Sequence, residues 1–449
     1  MTPFTYLKNC RADWLIGQAS HAELLALTQQ RLTELARFQS LPVICLAETE
    51  PTAFLAGWIA ACELGCPLFL GNPSWAVSEW RQVCELACPD LVWGKSLELP
   101  SSRNSSAAQP GWIMIPTGGS SGQIRFAVHT WETLMAAVSG FQAYFQIEKI
   151  NTCCVLPLYH VSGLMQALRS FSTGGKLALL SMSQLEQFEP EFEPEEYFLS
   201  LVPTQLQRLL PIAKRLARFR AVFLGGAAAW PKLLAQARQA QIPLAPTYGM
   251  TETAAQIATL KPADFLQGKT GCGQLLPHAD IQLVQPDTAG IGSLTIRSNS
   301  LMLGYFPALE RLDEFQTDDL GYFDVQNSLH IKGRSSQKII TGGENVFPTE
   351  VEAAIRATGL VSDVAVLGMP DQTWGETVVA VCVAENLAPA RLKTALEPYL
   401  SSYKLPKRWL WIDQIPRNAQ GKVNLTQLKQ FASGQTHIPP QPPTPSADA

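Results

Sequence analysis

Ten consecutive residues, Pro116, Thr117, Gly118, Gly119, Ser120, Ser121, Gly122, Gln123, Ile124 and Arg125, follow the apolar run WIMI. Glycines let backbone amides approach an anion closely and hydroxyls add further donors, so this segment can cradle a phosphate. An ordinary turn draws on the same residue types. It is not a Walker loop: the one GKT string, at 268–270, has Ala263 where the first glycine of that motif belongs. Tyr248, Gly249, Met250, Thr251, Glu252 and Thr253 follow the apolar run at 243–247. Alone, they read as a helix N-terminus with Thr251 near the cap and Glu252 in the first turn. Further on stand TDDLGYFD (317–324), GRSSQKIITGGENVFPTEVE (333–352) and PRNAQGKVN (416–424). Singly these are bland: Gly342-Gly343 reads as a β-turn, Lys422 as a solvated loop charge, and His160 as a satisfied core histidine.

Composition narrows the chemistry. With 449 residues, 46% hydrophobic and 16% charged, the chain is long enough for two or more domains with sizeable cores. A net charge of −4 supplies no basic field for a phosphate backbone, which disfavours nucleic acid as a partner. No run reaches the roughly 20 apolar residues of a membrane helix. Lys8, Arg11 and Asp13 interrupt the N-terminal stretch where a leader would be apolar, so a cytoplasmic location is expected. Ten cysteines include the pairs Cys62/Cys66 and Cys84/Cys88 within helical patterns. They read as core thiols in a reducing compartment, since zinc knuckles favour CxxC on turns.

These residues need a frame. From residue 41 onward, short β-rich runs (LPVICLA, CPLFLG, LVWG, CCVLPL, KLALL, YFLSLVP, FRAVFLGG) alternate with amphipathic stretches such as TAFLAGWIAACELG and VSEWRQVCELA. That alternation predicts βαβ units and a mainly parallel sheet. Residues 97–110 predict a surface loop. DIQLV, SLTIRS and GYFDV predict antiparallel strands that close the first part near Gly333. A compact αβ stretch follows, and then a Pro-rich tail expected to be disordered.

The five strings, in this order and spacing, resemble the adenylate-forming superfamily of acyl-CoA synthetases, adenylation domains and luciferases, over roughly residues 40–430. LPLYHVSGL (156–164), SLVPTQLQRLL (200–210), FLGGAA (223–228) and TYGMTETAAQIATL (247–260) are most similar to the 2-succinylbenzoate:CoA ligases of menaquinone and phylloquinone synthesis. The resemblance implies an α/β fold. Its N-terminal AMP-binding and acyl-substrate domain, residues 1–333, would hold parallel βαβ sheets and a β-rich subdomain. A small mobile α+β domain, 334–432, and the tail, 433–449, would follow.

It also implies a two-step reaction that uses ATP, Mg²⁺ and coenzyme A, in which an acid attacks ATP to give acyl-AMP and the CoA thiol then displaces AMP. By similarity Thr117, Gly119, Ser120, Ser121, Gly122 and Arg125 surround the phosphates. Arg125 stands where the family usually has Lys, and Ile124 and Phe126 replace Pro and Gly. Glu252 would carry the metal. Asp319 and Arg334 would hold the ribose, with Asp318 in place of a common Gly. Gly225, Gly226, Ala227, Tyr248, Gly249, Met250 and Thr251 would bound the nucleotide. Lys422 would bridge carboxylate and α-phosphate. Ser336 would be the hinge, where many relatives have Asp, and Gly342 and Gly343 would line the CoA tunnel. His160, Thr253 and Gln256 would face the acid. Rival readings are a ligase or adenylating enzyme for another aryl, fatty or amino acid, and a non-catalytic nucleotide-binding homologue. Oligomeric state, a homodimer included, is left open.

Overall fold

Buried Leu, Ile, Val and Phe runs set the architecture of this computed structural model, which describes residues 2–17, 20–95, 106–118, 124–187, 192–310, 312–384, 388–417 and 423–434. LPVICLA, CPLFLG and LVWG supply the strands Ile44–Leu46, Leu68–Leu70 and Leu91–Trp93, which pair in parallel. They belong to a six-stranded sheet ordered Gly304–Phe306, Ile124–His129, Ile113–Gly118, Leu68–Leu70, Ile44–Leu46, Leu91–Trp93. An eight-stranded sheet runs Leu15–Ile16, Leu177–Leu179, Asn151–Cys154, Tyr197–Leu201, Ala221–Leu224, Leu244–Met250, Ala255–Thr259, Gln274–Leu275. It is parallel as far as Leu244–Met250 and antiparallel beyond.

Helices fill the space between strands, as βαβ crossovers require. Helix Pro51–Leu64 opens with proline and ends on Gly65 at φ +71°, and nine of its residues are buried. Helix Trp131–Phe145 lays Phe141 and Phe145 on Phe198 and Phe223 of two neighbouring strands, with ring centroids 5.2–5.6 Å apart. Its start is fixed by the Thr130 hydroxyl, which accepts from the Thr133 amide.

The antiparallel strands Ala279–Val284, Gly292–Ser298, Phe315–Phe323 and Leu329–Arg334 form a third sheet. Beyond Arg334 the chain enters a fourth, built from Glu344–Val346, Ile339–Thr341, Gly375–Val383, Asp363–Asp371 and Arg408–Trp411. Its core is separate, with Val346, Val351, Ile355, Val366, Val378 and Leu392 buried together. From residue 435 the expected tail lies outside the described residues. Among the described residues no helix is long and apolar enough to cross a membrane.

Two local expectations change. Cys62 and Cys66 do not share a helix face, because Gly65 ends the helix between them; Cys88, at φ 46°, likewise ends the helix carrying Cys84. All ten thiols are free, and burial pushes Cys66 up to about 11. The YGMTE string is no helix N-terminus either. Leu244–Met250 is a strand, Thr251–Thr253 a single 3₁₀ turn, and the chain returns antiparallel through Ala255–Thr259.

Candidate active site

Three sheets meet at the turn Thr251–Thr253, whose carbonyls are held by the strand Ile124–His129 and by the segment joining Gly292–Ser298 to Gly304–Phe306. The Thr251 carbonyl accepts from His129 Nε2 at 2.8 Å, that of Glu252 from the Met302 amide at 2.8 Å, and that of Thr253 from the Ser300 hydroxyl at 2.9 Å. The Thr253 hydroxyl, an expected substrate contact, accepts from the Met250 amide and lies 2.7 Å from the Ala255 carbonyl, so its hydrogen bonds hold the turn. His129 is fully buried; loss of hydration lowers its pKa to about 4, and a neutral ring suits one nitrogen donating to a carbonyl.

The turn presents Glu252. Its Oε1 accepts from Tyr305 at 2.6 Å and from the Thr117 hydroxyl at 3.3 Å. The residue is 7% exposed, and among the described residues no cation is ion-paired with it. A buried carboxylate held only by hydroxyls is a hard oxygen ligand with charge left uncompensated, which fits a divalent cation such as Mg²⁺. Thr117 and Arg125 face each other across the hairpin formed by Ile113–Gly118 and Ile124–His129. Gly119, Ser120, Ser121 and Gly122 lie between them, outside the described residues. The Arg125 guanidinium carbon sits 4.6 Å from the Tyr305 ring centroid.

A second group lies on the neighbouring strands. The Tyr248 hydroxyl donates to Asp319 Oδ2 at 2.8 Å, and Arg334 Nε to Oδ1 at 3.3 Å. Asp319 and Arg334 are register partners on adjacent strands. Burial and the Asp319 charge push the Tyr248 phenol upward, so it stays protonated as a donor. Gly249 lies at a break in strand register, and a Cβ there would come within 2.1 Å of the Ala255 carbonyl oxygen. Gly225, Gly226 and Ala227 follow strand Ala221–Leu224, with Gly226 and Ala227 exposed.

A third group joins the expected Gln256 and His160 to two residues, Arg169 and His278, that the sequence did not mark. Arg169, on helix Val161–Thr173, is 3% exposed and donates from Nη2 to Gln256 Oε1 at 3.2 Å. Its guanidinium lies 4.3 Å from the Phe141 ring centroid, and its Nε has no hydrogen-bond partner. Burial lowers its pKa to about 9. No carboxylate among the described residues pairs with it. His278 packs against the adjacent Gly140, where a Cβ would fall 1.8 Å from its Nδ1, and neither ring nitrogen has a partner. Burial and the Arg169 charge lower its pKa to about 4. The available signal was an arginine inside the otherwise buried stretch GLMQALRSF. His160 caps the start of the same helix, half-buried.

Past Arg334, the Ser336 amide donates to Asp318 Oδ1 at 3.0 Å and its hydroxyl to Oδ2. Gly342 and Gly343 form the turn between Ile339–Thr341 and Glu344–Val346 at φ +59° and +84°. Lys422 lies outside the described residues. Its flanks, Arg417 and Val423, form an isolated antiparallel bridge, and Arg417 Nη2 donates to Asp363 Oδ2 at 2.7 Å.

The profile of the AMP-binding enzymes matches residues 99–306, and that of the AMP-binding enzyme C-terminal domain matches 350–422. A 2-succinylbenzoate–CoA ligase of Listeria monocytogenes is 34% identical over 325 residues, covering 70% of this chain and 68% of its own. The chain belongs to the AMP-binding enzymes, in the family of AMP-forming acid:CoA ligases. Another of these ligases, a 2-succinylbenzoate–CoA ligase of Enterococcus faecalis, is 32% identical over 324 residues, 68% of this chain and 67% of its own. The solved o-succinylbenzoate CoA synthetase of Bacillus subtilis, in complex with its acyl-adenylate intermediate, superposes on this AMP-binding enzyme with a TM-score of 0.84. It does so at 23% identity, over 95% of this chain and 97% of that one. The fold is therefore that of the adenylate-forming enzymes, a large N-terminal domain followed by a C-terminal domain.

Proposed function

We propose that the chain joins 2-succinylbenzoate to CoA, consuming ATP and releasing AMP and pyrophosphate through an acyl-adenylate, as a step of menaquinone or phylloquinone synthesis. The observation that carries the acid assignment is Arg169. It is a buried guanidinium with an unpaired Nε, beside Gln256, and no carboxylate among the described residues balances it. 2-Succinylbenzoate has two carboxylates. One is activated, and the other survives as an anion that would complete Arg169; a monocarboxylic acid would leave that charge buried and unmatched. The named relatives support the same acid.

In the first half-reaction Thr117, Gly119, Ser120, Ser121, Gly122 and Arg125 receive the triphosphate. Gly225, Gly226 and Ala227, with the stretch Tyr248–Thr251, border the adenosine, and Asp319 and Arg334 hold the ribose. Lys422 draws the attacking carboxylate and the α-phosphate together, a positioning role that also neutralises charge in the transition state. Mg²⁺ at Glu252 would stabilise charge on the phosphate oxygens. His160 and Gln256 border the acid. The domain beyond 333 then turns about Ser336, bringing Gly342 and Gly343 to the pantetheine arm. The ten free thiols favour a reducing, cytoplasmic setting.

The test is CoA-thioester formation from 2-succinylbenzoate, ATP and Mg²⁺, beside benzoic, cinnamic, fatty and amino acids. Preference for 2-succinylbenzoate is expected. Turnover confined to monocarboxylic acids would overturn the acid assignment and leave the ligase chemistry standing.

A further inference from the structure

Tyr305 stands on the short strand Gly304–Phe306, paired antiparallel with Ile124–His129 so that it opposes Ala127. Its side chain makes two contacts of different kinds. The phenol donates to Glu252 Oε1 at 2.6 Å, while the ring lies 4.6 Å from the guanidinium carbon of Arg125. One aromatic side chain therefore touches both the carboxylate assigned to the metal and the cation assigned to the phosphates. The backbone around Glu252 is already fixed through the bonded carbonyls of Thr251, Glu252 and Thr253. What remains free is the carboxylate head, and its strong tether is Tyr305, because the Thr117 hydroxyl is the longer contact at 3.3 Å. Arg125 is exposed and carries a long flexible stem, so without the ring little would fix its planar head. A flat guanidinium stacks on an aromatic face, a modest contact at an exposed site. This also accounts for arginine at a position where a lysine ammonium would need no platform.

We propose that Tyr305 is a positioning residue that sets Arg125 and Glu252 relative to one another, so that the triphosphate and its metal meet a preformed pair. The proposal rests on the assignment of Glu252 to Mg²⁺ and of Arg125 to the phosphates.

The full-length protein is titrated with Mn²⁺ in the presence of α,β-methylene-ATP, with free Mn²⁺ read by electron paramagnetic resonance. Acid-dependent ATP–pyrophosphate exchange is measured alongside. Tyr305→Phe keeps the ring and loses the tether; it is expected to weaken Mn²⁺ binding roughly tenfold, the scale of a hydrogen bond to a charged group, with the KM for pyrophosphate nearly unchanged. Tyr305→Leu loses both contacts and should also raise the KM for pyrophosphate about twofold to fivefold. Adding Arg125→Lys to Tyr305→Leu should raise it no further, since the contact is already gone. Glu252→Gln separates the two layers of the argument. If it abolishes Mn²⁺ binding while Tyr305→Phe and Tyr305→Leu bind normally, the positioning role is overturned and the site stands. If Glu252→Gln itself binds Mn²⁺ normally, the metal assignment falls and the proposal falls with it. Should Tyr305→Leu prove unstable by thermal melting, Tyr305→Phe still decides the tether.

Discussion

Arg169 is the residue whose chemistry is least comfortable in the folded protein. A guanidinium buried against the Phe141 ring loses hydration, and Gln256 returns one hydrogen bond where a carboxylate would return two. Function and stability should therefore separate there. Arg169→Met removes the charge at similar volume and is expected to raise the melting temperature, by about 1 kcal/mol or more of stability. The same change should raise the KM for 2-succinylbenzoate roughly tenfold to a hundredfold, with the KM for ATP within twofold. Steady-state kinetics beside thermal melts check both; loss of stability with an unchanged KM would return Arg169 to a structural role. Lys422 calls for a different experiment, because its proposed work belongs to one half-reaction. Lys422→Ala should reduce acyl-AMP formation by about a thousandfold yet leave thioester formation from supplied acyl-AMP within a few-fold. Equal loss of both would remove it from the adenylation step.

At the scale of elements, much was legible because local pattern and local structure share a cause. VSEWRQVCELA is the helix Val77–Ala87, DIQLV lies in the strand Ala279–Val284, and SLTIRS in its antiparallel partner Gly292–Ser298. YGMTE misled because capping residues describe a 3₁₀ turn as well as a helix start. The antiparallel return that decides between them depends on pairing with Ala255–Thr259. The hairpin of Gly342 and Gly343 permits a sharper distinction than sequence allowed. A Cβ on Gly342 would lie 2.8 Å from the Trp374 ring, whereas nothing stands within 4 Å of one on Gly343. Gly343→Ala should therefore cost only the backbone strain of its φ of +84°, about 1 kcal/mol. If Gly343 borders the pantetheine arm, thioester formation from supplied acyl-AMP should fall at least tenfold while pyrophosphate exchange stays within twofold. Parallel decline of the two rates would reject the tunnel assignment.

At the scale of the whole molecule, the site exists because strands from three sheets converge, bringing Thr117, Glu252, Tyr305, Tyr248 and Asp319 into two hydrogen-bonded groups. Motif order marked four of these five residues but not which of them touch, since contact is set by how the sheets pack. Tyr305, His129 and His278 gave no sequence signal of their own. The same packing buries two histidines in different places, one against the Thr251 carbonyl and one against Gly140 and near Arg169. Both have folded pKa values of about 4 against 6.5 for the free group. The unfolded chain therefore takes up protons between pH 6.5 and about 4 that the folded chain refuses. This contribution to stability is complete above 6.5 and shrinks as pH falls, by about 1.4 kcal/mol per pH unit for each histidine once the unfolded form is protonated. Exposed carboxylates with lowered pKa values, such as Glu23 and Glu186, act below their free value of 4.5, whereas burial raises the Glu352 carboxyl, whose proton uptake by the folded chain opposes the two histidines. From the two histidines alone, urea unfolding of the ligand-free protein should accordingly lose about 4 kcal/mol between pH 7 and 5. His278→Asn should roughly halve that loss, because it removes one of the two groups whose protonation favours the unfolded chain. A flat profile would mean that both rings take up protons without unfolding, and that packing around the site is looser than the contacts of His129 and His278 require.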